Sequence, residues 1–166
     1  MLRPATGADF GYIRSLAGRP ENAPFITDEA EAGLAAYLAD PAARLLIWEI
    51  EGRPAGFALF CTVGDLSGGV ELRRLALDTT GGGQGQRFLR TLLDHGFSTL
   101  GAARVWLDAS SEHPRAMRTY ERAGFTLEGR LRQHWYRPSL GRVVDLMLYG
   151  MLRAEWEALE PLPARA

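Results

Sequence analysis

The chain has 166 residues, the length of one domain, and 46% of them are hydrophobic, enough for one sizeable core. With 19 basic and 20 acidic residues the formal charge is −1, which gives no support to a nucleic-acid or membrane-surface partner. Every basic residue is an arginine, so no lysine is present to act as nucleophile, base or phosphate clamp.

In chain order, a short strand near residue 2 is followed by a helix from Asp9 to Ala17, with Asp9 as its cap. "DEAEAGLAAYLAD", 28–40, has helical spacing at Ala32, Leu34–Ala36 and Leu38. "RLLIWEI", 44–50, and "RPAGFALFCTV", 53–63, flank the turn signal "EGRP" and predict an antiparallel hairpin. "GGVELRRLALD" reads as a third strand, with Glu71, Arg73, Leu75 and Leu77 of one parity and Leu72, Arg74 and Ala76 of the other. A glycine cluster, Gly81–Gly83 and Gly85, precedes a helix whose stripe is Phe88, Leu89, Leu92, Leu93 and Phe97. His95, within that helix, is expected at the surface.

"ARVWLDAS", 103–110, predicts a buried strand. "HPRAMRTYERAGF" predicts a helix with Pro114 in its first turn and Gly124 at its end. "FTLEGRLRQHWY" and "VVDLMLYGML" are two last strands, and "EPLPARA", 160–166, reads as a frayed tail. The sum is one domain over 1–166 of α/β class: a mixed sheet with antiparallel hairpins first and a β–α–β crossover in the middle. A ligand is expected where the third strand gives way to the helix.

Cys61 is the single cysteine and sits in an apolar strand, which fits a reducing, cytoplasmic setting. The N-terminus lacks the apolar core of a signal peptide, and no apolar run approaches the ~20 residues of a membrane span. No Cys/His spacing marks a metal. The glycine loop is not the phosphate loop of nucleotide hydrolases, which ends in Gly-Lys-Ser/Thr. Nor does it carry a dinucleotide fingerprint: counted from Gly81 the third glycine position holds Gln86, and counted from Gly83 it holds Phe88.

Four ordered stretches carry a resemblance. "GQGQRFLRTLLDHGF" and the preceding "ELRRLALD" resemble the pyrophosphate loop and fourth strand of the GNAT superfamily of N-acetyltransferases. "HPRAMRTYERAGFTLEGRLRQHW" resembles the late helix and strand of that family. "VVDLMLYGMLRAEW" resembles closing segments of members close to the ribosomal-protein N-acetyltransferases. The resemblance implies a GNAT fold, with a mostly antiparallel sheet of about six or seven strands and about four helices. It implies acetyl-CoA as donor, a primary amine of a protein N-terminus or small molecule as acceptor, and a possible homodimer.

It also assigns roles. Tyr120 matches a tyrosine near the donor sulfur, though it also fits as a core tyrosine. Glu71 matches a general base, though Arg73 and Arg74 stand close enough to pair with it. Leu75, Ala76 and Leu77 offer backbone to the pantetheine arm. Thr80, Gly81, Gly82, Gly83, Gln84, Gly85, Gln86 and Arg87 form the pyrophosphate cradle, with amides from Gly83 to Arg87 as donors. Thr80 stands where relatives usually carry Arg or Gln. His113 takes the place of an asparagine and either bonds the donor or caps its helix. His134 and Phe25 are candidates for acceptor contact, with further apolar lining from the neighbours of Phe25 and from Trp135–Tyr136. The alternative function is a non-catalytic acyl-CoA-binding or regulatory module.

Overall fold

A computed structural model describes residues 1–160. The expected tail thus lies outside the described residues except for Glu160, whose carbonyl accepts from Arg90 at 2.7 Å. The strands are β1 (Leu2–Pro4), β2 (Arg44–Ile50), β3 (Arg53–Cys61), β4 (Gly69–Leu77), β5 (Arg104–Ser110), β6 (Thr126–Arg137) and β7 (Arg142–Leu152). The helices are α1 (Phe10–Ala17), α2 (Glu31–Ala39), α3 (Gln84–Asp94), α4 (Pro114–Arg122) and α5 (Arg153–Glu157). One seven-stranded sheet has the order β1-β2-β3-β4-β5-β7-β6. Its β4–β5 pair is parallel and its other pairs are antiparallel. This is the mixed, mostly antiparallel sheet expected.

The β2–β3 turn is two residues long, Glu51 at φ 52° and Gly52 at φ 73°. Two positive φ angles give the turn twist that suits a right-twisted hairpin. Helices cover both faces. On one, α1 and α2 bury Ile13, Leu16, Ala17 and Leu34 against Leu45, Ile47, Phe57 and Leu59. On the other, Phe88, Leu89, Leu92, Leu93 and Phe97 pack with Trp48, Phe60, Val105 and Tyr149. Neighbouring β2 and β3 residues thus feed opposite cores, as the pleat requires. No helix among the described residues is long and apolar enough to cross a membrane.

Several details differ from the sequence reading. α2 starts at Glu31, three residues late, and β3 ends at Cys61. Asp9 makes no capping hydrogen bond to α1. Its carboxylate instead accepts from Arg3 at 2.8 and 2.9 Å and from the Thr6 amide at 2.8 Å, because β1 brings a guanidinium within reach. His95 is half-buried rather than fully at the surface. The helix widens into a π turn over His95–Thr99, which brings the ring beside Phe60 at 5.9 Å and leaves its Nε2 buried without a partner among the described residues. α5 has no counterpart among the elements expected from sequence. Five residues carry little periodicity, and the turn is held by tertiary contacts: Trp156 stacks on Phe97 at 5.2 Å and donates to Asp94 at 2.9 Å.

The main correction lies in β4. Strict alternation puts Leu72 and Ala76 on one face. The structure puts Leu72 in the α3/α4 core and Ala76 in the α1/α2 core. Leu59 pairs with Arg74 and Phe60 with Leu72, so Arg73 is an extra, bulged residue. One inserted residue flips the parity of everything after it.

Candidate functional site

The site is a split in the sheet. β4 and β5 pair over only three residues, Gly69–Glu71 with Arg104–Trp106. Beyond Glu71, β4 stays on β3, while β5 stays on β7 as far as Ser110 opposite Leu146. The bulge at Arg73 falls where the pairing stops. A bulge bends and twists its strand, and here it turns β4 away from β5. The β4 edge from Leu72 to Leu77 therefore faces a cleft of about 490 Å³ with no strand opposite. An unpaired edge is a template for another extended chain.

The cleft is walled by Glu71–Leu77 of β4, by Asp78 just after it, and by Asp108, Ala109 and Ser110 of β5. α3 contributes Gly85, Phe88 and Leu89, and α4 contributes Ala116, Thr119 and Tyr120. The connection between α1 and α2 adds Phe25, Ile26 and Thr27, and β6 adds His134 and Trp135. Elements far apart in sequence meet here because β6 and β7 return to the far side of β5.

At one end the glycine loop leads into α3. Gly81, Gly82 and Gly83 have φ of 107°, 53° and 76°, a run of left-handed conformations that only glycine adopts without strain. A Cβ at Gly81 or Gly83 would meet open space, so the glycines are required by backbone shape rather than by crowding. The Gln84 amide donates to the Gly81 carbonyl at 3.0 Å and the Arg87 amide to the Gly83 carbonyl at 3.1 Å. Those two amides close turns of the loop itself, which narrows the cradle expected from Gly83 to Arg87. The Gln86 side chain donates to Thr119 O at 2.8 Å and ties α3 to α4.

Charge in the middle of the cleft is organised by Glu71 and Asp108. Glu71 is buried, and its Oε2 accepts from Arg73 Nη2 at 2.6 Å and Nε at 3.0 Å. The arginine-paired alternative is the arrangement present. Asp108 makes no ion pair among the described residues. It is accessible from the cleft, yet the surrounding protein raises its pKa, the Glu71 charge raises it further, and His134 and Arg73 offset part of the rise. Tyr120 is only 8% exposed and packs edge-on to Phe125. Burial above all, then the Asp108 charge, drives its pKa well above that of an ordinary phenol. His113 stacks on Phe25, centroids 3.8 Å apart and planes 13° apart; burial, then Arg115, lowers its pKa. It stands at the N-cap of α4 without a side-chain capping bond.

Of the residues singled out from sequence, Glu71, Leu75, Ala76, Leu77, Thr80, Gly81, Gly85, His113, Tyr120, His134 and Phe25 line the one cleft. Gly82, Gly83, Gln84, Gln86 and Arg87 do not. Trp135 and Ile26 line it, whereas Pro24 and the exposed Tyr136 do not. Sequence reasoning missed Asp108. Its signal was one acid in the apolar run "ARVWLDAS". It also missed Arg137, buried behind Trp135 at a ring distance of 4.0 Å. Among the described residues no three His, Cys, Asp or Glu side chains gather as a metal site. Cys61 is buried and free, and burial raises its thiol pKa.

A family model described as acetyltransferase (GNAT) family matches residues 10–125. An uncharacterised N-acetyltransferase of Mycobacterium tuberculosis is 33% identical over 106 residues, 60% of this chain and 64% of that protein. The match thus spans less than two thirds of the relative. A spermidine N(1)-acetyltransferase of Vibrio cholerae is 37% identical over 77 residues, 44% of this chain and 43% of that protein. The crystal structure of the Vibrio cholerae spermidine N-acetyltransferase in complex with CoA and spermine superposes with a TM-score of 0.83 at 20% identity, over 95% of this chain and 97% of that one. A dodecameric structure of that enzyme gives 0.78. At such identity the superpositions establish a shared fold.

Proposed function

The chain belongs to the acetyltransferase (GNAT) family, and from that premise we propose that it transfers an acetyl group from acetyl-CoA to a primary amine. The observation that carries the reading is the split between β4 and β5, with Asp108 and Tyr120 facing the same cleft. Acetyl-CoA supplies the activated thioester. The open Leu72–Leu77 edge fits its extended pantetheine arm, which carries amides of its own, and the glycine loop at the start of α3 fits the pyrophosphate. The amide of Leu75, Ala76 or Leu77 is a candidate donor to the thioester oxygen.

On the acceptor side the amine must lose a proton before its nitrogen attacks. Asp108 is the better base, because Glu71 is held by Arg73, whereas Asp108 makes no ion pair among the described residues and its raised pKa makes it a stronger proton acceptor than an ordinary carboxylate. Glu71 then acts through Asp108, by holding its pKa up. Tyr120 stays protonated throughout the working range. An ordinary phenol, with pKa near ~10, is already a weaker acid than a thiol near ~8.5, and burial widens that gap. Its role is to donate a hydrogen bond that stabilises charge on the departing sulfur. The alternative, a module that binds acyl-CoA without turnover, leaves Asp108 and Tyr120 idle.

Finer parts belong to the same proposal. The placement near ribosomal-protein-type members rests on the closing segment 143–156. A homodimer would cover Leu127, Tyr136 and Val143, which β6 and β7 leave exposed. Differential scanning fluorimetry tests the donor site: acetyl-CoA in excess raises the melting temperature. No shift at any concentration would overturn the reading.

A further inference from the structure

We propose that the acceptor is a monoamine: one primary ammonium on an apolar body about the size of an aromatic ring, and not a polyamine. This rests on the acetyltransferase reading of the cleft. The end of the cleft away from the glycine loop is bounded by Phe25, Ile26, Trp135 and Leu146. Carboxylates along the whole cleft are largely committed. Asp78 is engaged by Arg19, Glu71 by Arg73, and Glu29, behind the wall, by Arg74 at 2.7 Å. Asp108 is the carboxylate left at the split, with Glu21 exposed at the rim.

The same region is rich in cations. Arg115 lines the cleft without an ion pair among the described residues. Arg137 is 4% exposed and meets no carboxylate among the described residues. Its Nε donates to Pro24 O at 2.9 Å, and its Nη2 donates to Ile26 O at 3.1 Å and to Ala23 O. A polyamine is held best by a carboxylate for each ammonium, and here it would place several charges near guanidiniums. A monoamine needs one carboxylate, Asp108, and an apolar wall.

Arg137 also makes that wall rigid. It grips the backbone on both sides of Phe25 and lies over the Trp135 ring, so both aromatics are fixed before anything binds. A preorganised apolar wall discriminates by shape and desolvation at no cost in ordering. Arg137 is a positioning residue for the acceptor and touches no reacting atom. The shared chemistry admits two sources: a free arylalkylamine, or a peptide N-terminus with an apolar first residue.

The test is CoA-thiol release by the full chain with acetyl-CoA and one of three amines: 2-phenylethylamine, a peptide amide beginning with phenylalanine, or spermidine. At least one monoamine is expected to exceed spermidine in kcat/KM by about tenfold or more. Which of the two is faster identifies the source. Trp135→Ala is expected to raise KM for the preferred monoamine about tenfold, with KM for acetyl-CoA unchanged. Spermidine matching or exceeding both monoamines overturns the inference and leaves the acetyltransferase reading standing. Turnover of none of the three overturns both.

Discussion

Arg73 holds Glu71 through two donors on one oxygen: Nη2 at 2.6 Å and Nε at 3.0 Å both reach Oε2. The two residues are two apart on β4, on either side of Leu72, and Arg73 is the bulged residue that ends the β4–β5 pairing. The feature that opens the cleft therefore also occupies the carboxylate that a strand-only reading would make the base.

Asp108→Asn should lower kcat by about 10²–10³-fold, the scale of lost general-base catalysis. Glu71→Gln should cost less and should move the acidic limb of the pH–rate profile to lower pH. The sign follows from the charges: Glu71 raises the pKa of Asp108, so its removal lets that pKa fall. Steady-state rates across pH 5–9 for both variants check this. Equal losses with no shift of the limb would return the base role to Glu71.

Tyr120→Phe should separate activity from stability. The hydroxyl has no hydrogen-bond partner among the described residues, and the ring fits a core with Phe125 and Tyr149. Removing an unpartnered hydroxyl is close to neutral for folding, so urea midpoints should agree within about 0.5 kcal/mol. The rate of thiol release should fall about 10–10²-fold.

The glycine loop and Gln86 should respond differently. Gly83→Val forces a β-branched residue into φ 76°. It should cost about 1–2 kcal/mol or more and weaken acetyl-CoA binding about tenfold by reshaping the start of α3. Gln86→Ala should lower stability by about 1 kcal/mol through loss of the α3–α4 bond, with little change in acetyl-CoA affinity. Calorimetric titration and urea denaturation of each variant measure both quantities.

The Arg3–Asp9 pair sets an acid limit on stability. Hydrogen bonds from Arg3, then those from Thr6, hold the Asp9 carboxyl down at about 2 from an ordinary 3.8, against the upward push of burial. The stabilisation is complete above pH 3.8 and is lost as pH falls toward 2. It is at most about 2 kcal/mol, reduced by solvent at the partly exposed Arg3. Asp9→Asn should be less stable than the parent at pH 6, and the difference should shrink progressively between pH 4 and pH 2.

The order of elements was legible because each carried its own local signal: the apolar runs of β2 and β3 around the turn signal "EGRP", the stripe from Phe88 to Phe97, Pro114 and Gly124 around α4. The resemblance added the expected roles of the glycine loop and Tyr120. What sequence could not supply depends on pairing between distant segments. The Arg73 bulge is defined only against β3. Asp108 meets the cleft only because β4 and β5 part beside it. Arg137 is 113 residues from Pro24, whose carbonyl it holds, and nothing local marks it. His95 read as polar and exposed because the π turn that buries its Nε2 leaves no trace in a 3.6-residue period.

The most direct measurement of the central claim is a mass-spectrometric assay of the full chain with acetyl-CoA and a confirmed monoamine. Free CoA and N-acetylated amine should form in equal amounts, at a rate that falls at least tenfold in both Asp108→Asn and Tyr120→Phe. Tight acetyl-CoA binding with no acetylated amine, or full activity in both variants, would contradict it.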